Sequence, residues 1–314
     1  MKLNPRSSIA CTLATVTTFG LLGNIEAANA ANIQLIGLTA NNTLVSFDSK
    51  NPNQSRNVTV TGIDGMLSVI DFRPGDGKLY GLTNTNKIYT IDPNTGEAML
   101  KSTLNMGINA GVGIGGDFNP NPDRLRLVGS NNQNFRVDVD MGTVTVDTTP
   151  LQYAMGDVNE GQTANITAAA YTNSFAPSPD TNRRTTLYEI DSTLDILVTQ
   201  GTIDFLATDP PPADSPNNGQ LRTIGNLGVD LGATVGFDIF SPSMGMNLAF
   251  AASGSTLYSI DLNNGSATTI GTIGNGSASI IGLASQSVPE PGMVGALIGF
   301  ASVSFAAYSR RLVN

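Results

Sequence analysis

Residues 88–96 read IYTIDPNTG, and residues 257–265 repeat this phrase with few changes as LYSIDLNNG. Three further copies stand at 44–52 (LVSFDSKNP), 135–142 (FRVDVDMG) and 187–195 (LYEIDSTLD). Each copy alternates apolar and polar residues before it reaches a group of Asp, Asn, Gly or Pro, which is the pattern of a half-buried strand that ends in a turn. The phrase therefore predicts a chain built from a repeated β unit.

A second element precedes four of the phrases at a nearly constant distance. Its copies are VIDFRP (69–74), GGDFNP (115–120), AAAYTNS (168–174) and GFDIFSP (236–242). The separations from Asp71, Asp117, Tyr171 and Asp238 to the Asp of the next phrase are 21, 21, 20 and 23 residues. Constant spacing inside a unit, with variable spacing between units, marks a supersecondary repeat. With one strand between the two elements and one after the phrase, the unit predicts the four-stranded blade of a β-propeller.

The two ends of the array complete each other. The phrase at 44–52 has no first-type strand before it, whereas IIGLAS at 280–285 is a first-type strand with no phrase after it. A ring in which this last strand joins the first blade removes the free sheet edges. We therefore expect an all-β, five-bladed propeller over residues 31–287. Six blades are the alternative, which needs another unit within 195–235, where DFLATDPPPADSPNNGQ has the composition of a surface loop.

The composition excludes several kinds of chemistry. The 314 residues include no His, no Trp and a single Cys, Cys11. Catalytic triads that use a His base, His-ligated zinc and disulfide frameworks are therefore excluded. With 16 Lys and Arg against 25 Asp and Glu, the chain also lacks the basic surface that a nucleic-acid partner requires.

The first 30 residues have the order of a secretory signal peptide. Two basic residues precede a mildly apolar run from Ile9 to Leu22, and Ala28 and Ala30 occupy the positions that signal peptidase reads. We expect that peptidase to remove residues 1–30. The alternative is a retained membrane helix, for which the apolar run is short and rich in Thr.

Residues 288–314 combine three features in order. These are the motif Pro289-Glu290-Pro291, an uncharged stretch of 17 residues (293–309), and the basic pair Arg310-Arg311. The stretch is just long enough to cross a bilayer, and the arginines would hold the tail in the cytoplasm. This order resembles the bacterial PEP-CTERM sorting signal. The resemblance implies export, transient anchoring in the inner membrane by a transmembrane helix, and cleavage by an exosortase, in a setting of exopolysaccharide and biofilm production; a permanent anchor is the alternative.

The region between the two ends resembles the bacterial DUF4394 family, a domain of unknown function. The matching stretches are GLTANNTLVSFD, IDFRPGDGKLYGLTNTNKIYTIDPNTGEA, FNPNPDRLRLVGSNNQNFRVDVDMGT, GDVNEGQ, AAAYTNS and TLYSIDLNNGSAT. They cover nearly all of the region, although the third phrase departs from the pattern at Asp140 and Met141. The resemblance implies no reaction and assigns no catalytic or cofactor-binding residues.

Three acidic residues, Asp71, Asp117 and Asp238, stand at the same position of the first element, whose strand lines the central channel of a propeller. Converging carboxylates with no Lys on the same strands repel one another, or hold a hard cation such as calcium. The alternative is that each Asp accepts backbone N–H groups and fixes a turn without any ion. The residues alone leave both interpretations open.

Two other motifs are weaker candidates. The turns DPNTG (92–96) and DLNNG (261–265) resemble the start of a calcium loop, but they lack its distant Glu and suit a hairpin turn equally well. Arg183 and Arg184 could grip an acidic sugar, or they could form a solvated pair on a surface loop.

These features favour a binding or structural module without catalytic activity. The sorting tail places it at the cell envelope or in the extracellular matrix, with a polysaccharide or an envelope protein as the expected partner. The alternative is a hydrolase or lyase that uses the channel carboxylates on an extracellular glycan.

Overall fold

The computed structural model describes residues 32–109, 111, 113–147, 149–206 and 214–286. The regular structure of these residues consists of 21 β-strands, β1 to β21, and a short 3₁₀ helix at Pro216–Asn218. The expected signal peptide (1–30) and sorting tail (288–314, with its apolar stretch 293–309) lie outside the described residues.

The strands form five sheets, and each sheet is one blade. From the innermost strand outward, blade 1 consists of β21 (Ile280–Gln286), β1 (Gln34–Thr39), β2 (Thr43–Asp48) and β3 (Asn51–Thr59). Blade 2 consists of β4 (Leu67–Phe72), β5 (Leu79–Thr83), β6 (Lys87–Ile91) and β7 (Ala98–Thr103). Blade 3 consists of β8 (Ile114–Asn119), β9 (Arg124–Gly129), β10 (Asn134–Asp138) and β11 (Thr143–Val146).

The two remaining blades differ in their number of strands. Blade 4 consists of β13 (Ile166–Tyr171), β14 (Thr185–Asp191), β15 (Ile196–Phe205), β16 (Gln220–Asn226) and the two-residue strand β12 (Gln152–Tyr153). Blade 5 consists of β17 (Gly236–Ser243), β18 (Met246–Ser253), β19 (Thr256–Ile260) and β20 (Ala267–Thr272).

The innermost strands meet in cyclic order, which closes the ring. Strand β4 contacts β8, β8 contacts β13, β13 contacts β17, β17 contacts β21, and β21 contacts β4. Within blade 1, β21 pairs antiparallel with β1, so that Leu35 lies opposite Ser285 and Ile36 opposite Ala284. The prediction of an all-β, five-bladed propeller closed by a C-terminal strand in the first blade is confirmed.

Blade 4 corrects part of the predicted repeat. The phrase LYEIDSTLD begins on β14, which pairs directly with the innermost strand β13, whereas the other phrases begin on the third strand of their blades. The segment 172–184 makes the connection between β13 and β14 long. The number of residues between the first element and the phrase is therefore nearly the same as in the other units, although one strand fewer lies between them. The six-bladed alternative is wrong, because 196–226 supply the outer strands β15 and β16 of blade 4.

Five clusters of buried apolar side chains form the core, and each lies between two neighbouring blades. Between blades 2 and 3, for example, the rings of Tyr80 and Phe118 meet edge to face with centroids 5.3 Å apart. Each blade therefore packs against two neighbours, and none has a core of its own.

Glycines allow the innermost strands to approach closely near their N-terminal ends. A Cβ atom on Gly115 would lie 2.6 Å from the backbone of Ala168 and Ala169, and one on Gly236 would lie 2.6 Å from that of Gly282. Only glycine fits at such distances. The channel is consequently almost filled here, with a cavity of about 20 Å³, and it widens towards the C-terminal ends of the strands.

Closure by β21 predicts that the ring depends on residues 280–286. A chain shortened to end at Ser279 should lose its cooperative thermal unfolding transition, because blade 1 would lack its innermost strand and sheet edges would be exposed. A chain that ends at Gln286 keeps every strand and should retain the transition. Circular dichroism against temperature compares the two chains; equal melting temperatures would contradict the role of β21.

Candidate functional site

The fold brings the three predicted acidic residues together in the channel. Asp71, Asp117 and Asp238 lie on the innermost strands β4, β8 and β17, and each offers an oxygen atom within 4.8 Å of the other two. All three are buried, with exposed fractions of 6%, 2% and 4%. The equivalence that the repeat predicted for these positions is therefore reproduced in three dimensions.

The hydrogen bonds of the triad run from one blade to the next. Asp71 Oδ2 accepts from the backbone N–H of Phe118 at 2.8 Å, and Asp117 Oδ2 accepts from that of Tyr171 at 3.0 Å. Asp238 Oδ2 accepts from the backbone N–H of Ser285. Each carboxylate thus links its own strand to the innermost strand of the following blade. The alternative to an ion site was that each Asp accepts backbone N–H groups and fixes a turn. The hydrogen bonds to N–H groups are present, but they join neighbouring blades instead of fixing turns.

The donors also fix the register of the two remaining innermost strands. In blade 3 the donor, Phe118, stands one position after the triad residue Asp117. By the same rule, the positions that match the triad in blades 4 and 1 stand one residue before the donors Tyr171 and Ser285. These positions are Ala170 and Ala284. The predicted alignment of Tyr171 with the three acids is therefore wrong by one residue. The error has a simple cause, since AAAYTNS contains no Asp that would mark the register.

Asp71 and Asp238 each have a second backbone partner, and Asp117 does not. Asp238 Oδ1 accepts from the backbone N–H of Ile239 at 2.6 Å, and the amide of Phe72 lowers the pKa of the adjoining Asp71. By contrast, Asp117 Oδ1 is buried without a hydrogen-bond partner. Within the triad, this oxygen is the one that the protein leaves unsatisfied.

Burial is the largest influence on the acidity of the triad. It raises the pKa of Asp71 well above its ordinary value, and the charge of Asp238 raises it further. Burial, followed by the charges of Asp71 and Asp238, also raises the pKa of Asp117. The pKa of Asp238 is raised to about 6 by burial, against the opposing effect of its amide partners. The site therefore favours either protons or a counter-ion beside its carboxylates.

A cavity of about 170 Å³ opens next to the triad at the C-terminal ends of the innermost strands. Asp71 and Asp238 line it together with aromatic and hydroxyl residues, whereas Asp117 does not border it. The other principal lining residues are Phe72, Phe175, Phe240, Ser174, Ser241 and Ser285. The cavity combines apolar walls, hydroxyl groups and carboxylates, which is a composition suited to a small polar ligand.

One wall of the cavity is held by Arg183. Its side chain is 1% exposed and donates to the carbonyl oxygens of Asn173, Phe175 and Pro177, and its guanidinium lies 4.0 Å from the centroid of the Phe175 ring. Both predicted roles of Arg183, sugar binding and solvation, are therefore wrong, because the side chain is buried and its two terminal nitrogens donate to the loop that carries Phe175, while its Nε has no hydrogen-bond partner. Arg184 is exposed and donates to the carbonyl of Asp204 at 2.9 Å.

A second arginine, Arg73, lines the cavity itself. Its guanidinium forms ion pairs with Asp123 at 2.7 Å and Asp140 at 2.8 Å, and it also donates to the hydroxyl of Tyr80. These bonds join blade 2 to blade 3, and they hold the pKa of Asp140 well below its ordinary value. The departure from the family pattern at Asp140 thus has a structural role. Arg73 was not identified from the sequence, and its position two residues after Asp71 was the only signal that could have found it.

The calcium-loop-like turns are hairpin turns. Asp92 Oδ1 accepts from the backbone N–H of Asn94 at 2.7 Å, and Asp261 Oδ1 accepts from that of Asn263 at 2.9 Å. The same oxygen atoms would be needed for an ion, so the turn interpretation is confirmed at both positions.

The fold and the buried acids define the protein as a five-bladed propeller with a candidate ligand site in its channel. The family model described as "Domain of unknown function (DUF4394)" matches residues 43–284, and the chain belongs to this family, as its resemblance predicted. No curated protein matches the chain. Among the described residues, no helix is long and apolar enough to cross a membrane.

Two solved structures are similar to the chain at low identity. One is a structural genomics protein of unknown function from Bacteroides thetaiotaomicron VPI-5482, with 10% identity and a TM-score of 0.44 over 75% of this chain and 55% of that one. The other is a DUF4623 family protein from Bacteroides eggerthii DSM 20697, with 10% identity and a TM-score of 0.40 over 78% of this chain and 58% of that one. The chain thus spans little more than half of either protein.

A buried acid outside the triad predicts a pH-dependent stability. Burial raises the pKa of Glu189 from 4.5 to about 8, and neither of its carboxylate oxygens has a hydrogen-bond partner. Because the native pKa exceeds the unfolded one, the contribution of Glu189 is fully present below the unfolded pKa and is lost as pH rises towards 8. The slope is at most about 1.4 kcal/mol per pH unit.

The variant Glu189→Gln should remove this slope. Its free energy of unfolding should exceed that of the wild type above pH 8 and approach it near pH 4.5, because Gln stays neutral throughout. Urea denaturation at a series of pH values measures the difference, with the exposed Glu97→Gln as the control. A constant difference between Glu189→Gln and the wild type across this range would contradict the buried, protonated Glu189.

Proposed function

We propose that the protein is an exported propeller that acts as a binding module at the bacterial envelope or in the extracellular matrix, and that its ligand enters the cavity beside the triad. The observation that carries the proposal is the cavity itself, whose volume is about 170 Å³. An engineered core cavity of about 150 Å³ holds a benzene molecule. The cavity therefore suits one ring-sized group, such as a single sugar unit of a longer chain.

The lining favours a neutral, hydroxyl-rich ligand. Phe175 and Phe240 offer apolar surface, and Ser174 and Ser241 contribute hydroxyl groups. The guanidinium of Arg73 is engaged by two aspartates, and the nearby acids of the triad would repel an anion. A neutral sugar of an extracellular polysaccharide meets these conditions better than the acidic sugar considered from Arg183 and Arg184.

Export is supported by the two ends of the sequence. The order of Pro289-Glu290-Pro291, the apolar stretch 293–309 and Arg310-Arg311 resembles a PEP-CTERM signal, and 1–30 resembles a signal peptide. We propose signal peptidase and an exosortase as the processing partners, with transient anchoring in the inner membrane before release. Both ends lie outside the described residues.

Blocking the cavity should abolish ligand binding. Ala176 is exposed and lines the cavity, so Ala176→Trp should fill its entrance without disturbing a core. On an array of neutral bacterial polysaccharides, the wild type should bind at least one glycan, and the variant should bind it at least about tenfold more weakly. Met155→Trp is the matched control, because Met155 is 90% exposed and lies away from the cavity lining.

Two outcomes would contradict a binding module in this cavity. Equal binding by Ala176→Trp and the wild type would place the ligand elsewhere. Turnover of a glycan by the purified protein, lost in Asp238→Asn, would favour the carboxylate-based hydrolase or lyase, for which the raised pKa of Asp238, about 6, is the supporting feature.

Processing predicts a shorter mature protein. The form recovered outside the cytoplasm should begin near Ala31 and lack Arg310 and Arg311, because signal peptidase and exosortase would have removed the ends. Intact-mass spectrometry of the exported protein tests both cleavages. An exported form that retains Arg310 would contradict sorting and favour a permanent anchor.

A further inference from the structure

The triad contains more acceptor oxygens than the surrounding strands can satisfy. Three carboxylates carry six oxygens, and the backbone groups that face them are the amides of Phe72, Phe118, Tyr171, Ile239 and Ser285. The side chain of Ser285 is a further partner of Asp238, and Asp117 Oδ1 remains without a hydrogen bond. Since Asp117 is only 2% exposed, bulk solvent does not solvate this oxygen. A buried carboxylate oxygen without a protein partner is strongly unfavourable, so it points to a ligand that this position binds.

Among the described residues, no Lys or Arg forms an ion pair with the triad. The ion pairs found among the described residues involve other carboxylates, which are Asp64, Asp123, Asp138, Asp140, Asp147 and Asp180. The triad therefore concentrates acidic groups within 4.8 Å in the interior of the ring, and its partners outside the triad are backbone amides and the side chain of Ser285, all of them uncharged. Like charges at this separation cannot all be ionised without a counter-ion.

We infer that Asp71, Asp117 and Asp238 bind one divalent cation, and that the ion is Ca²⁺. The atoms that would coordinate the ion are all carboxylate oxygens, and oxygen ligands favour a hard cation. Ca²⁺ binds oxygen at about 2.3–2.6 Å, so ligands on opposite sides of the ion stand up to about 5 Å apart, whereas Mg²⁺ draws its ligands to about 2.1 Å. Oxygens that lie within 4.8 Å of one another can therefore surround Ca²⁺ after shifts of a few tenths of an ångström, which is less than Mg²⁺ would require.

The ion would complete both the fold and the neighbouring cavity. It would bind the unsatisfied Asp117 Oδ1 and fasten blades 2, 3 and 5 through one centre. Ca²⁺ takes about 6–8 oxygen ligands, more than three carboxylates supply in this arrangement. Because Asp71 and Asp238 also border the cavity, the remaining positions would face it, where water or ligand hydroxyl groups can coordinate. The cation site itself does not rest on the proposed function.

Calcium should stabilise the protein measurably. After chelation with EDTA, addition of CaCl₂ to about 10 mM should raise the melting temperature by several degrees, because an ion bound only by the folded state stabilises it by mass action. Millimolar concentrations are needed, since exported modules bind calcium with Kd of about 10⁻⁴–10⁻³ M. Isothermal titration calorimetry on the wild-type protein should give one Ca²⁺ per chain.

The variant Asp117→Asn separates an ion site from a structural strap. Its amide oxygen can still accept from Tyr171, while the substitution removes a charge and replaces the unpartnered oxygen. In EDTA at neutral pH it should be at least as stable as the wild type, because repulsion is reduced, but its calcium affinity should fall at least about tenfold. Asp261→Asn, in the exposed calcium-loop-like turn, should keep the full calcium response.

Several outcomes would overturn the inference. The first is a wild-type melting temperature that neither calcium nor EDTA changes, together with no heat of calcium binding. The second is a calcium response that Asp117→Asn retains in full. If Asp117→Asn does not fold, the wild-type titrations alone still decide whether one ion binds. A response to MgCl₂ but not to CaCl₂ would overturn the choice of ion. Loss of glycan binding in Ala176→Trp with the calcium response intact would support both proposals separately.

Discussion

Five innermost strands meet around one axis, and each has one edge that pairs with no strand of its own sheet. The backbone N–H groups on these edges are buried, so they need acceptors that the sheets do not supply. The carboxylates of Asp71, Asp117 and Asp238 provide them, and each reaches the following blade. A propeller this narrow therefore depends on side-chain acceptors at its axis, which explains why acidic residues occupy a region that is otherwise unfavourable for charge.

The same geometry accounts for the uneven distribution of the acids. A carboxylate at the position of Ala284 would reach the amide of Phe72 in the following blade, but Asp71 already serves that amide, so none is needed there. Ala170 likewise needs none, because Asp238 serves the amide of Ile239 in the following blade. Five carboxylates around one axis would multiply the repulsion, whereas three satisfy the facing amides and leave a single surplus oxygen. The small residues at the other two positions are thus part of the same arrangement.

The repeat in the sequence was sufficient to predict the five blades, the closing strand and the convergence of the triad, because all three follow from which positions are equivalent. It failed in blade 4, where the phrase encodes only a strand with an Asx turn and can therefore begin on a second strand as well as a third. The cavity wall was not predictable, since Arg183 and Phe175 lie in a connection with no counterpart in the other blades. Nor was the unpartnered Asp117 Oδ1, which depends on individual hydrogen bonds.

The cavity and the triad share one end of the channel for a physical reason. At the N-terminal ends of the innermost strands, Gly115 and Gly236 allow backbone to pack against backbone, and little space remains. At the other end the strands carry side chains, and the loops held by Arg73 and Arg183 form walls instead of a plug. Natural proteins depart from well-packed, charge-free interiors chiefly at functional sites. In this protein, the acids of the triad and the cavity beside them form such a departure. A cation bound there would relieve the repulsion among the three carboxylates, which no side chain of the ring neutralises among the described residues.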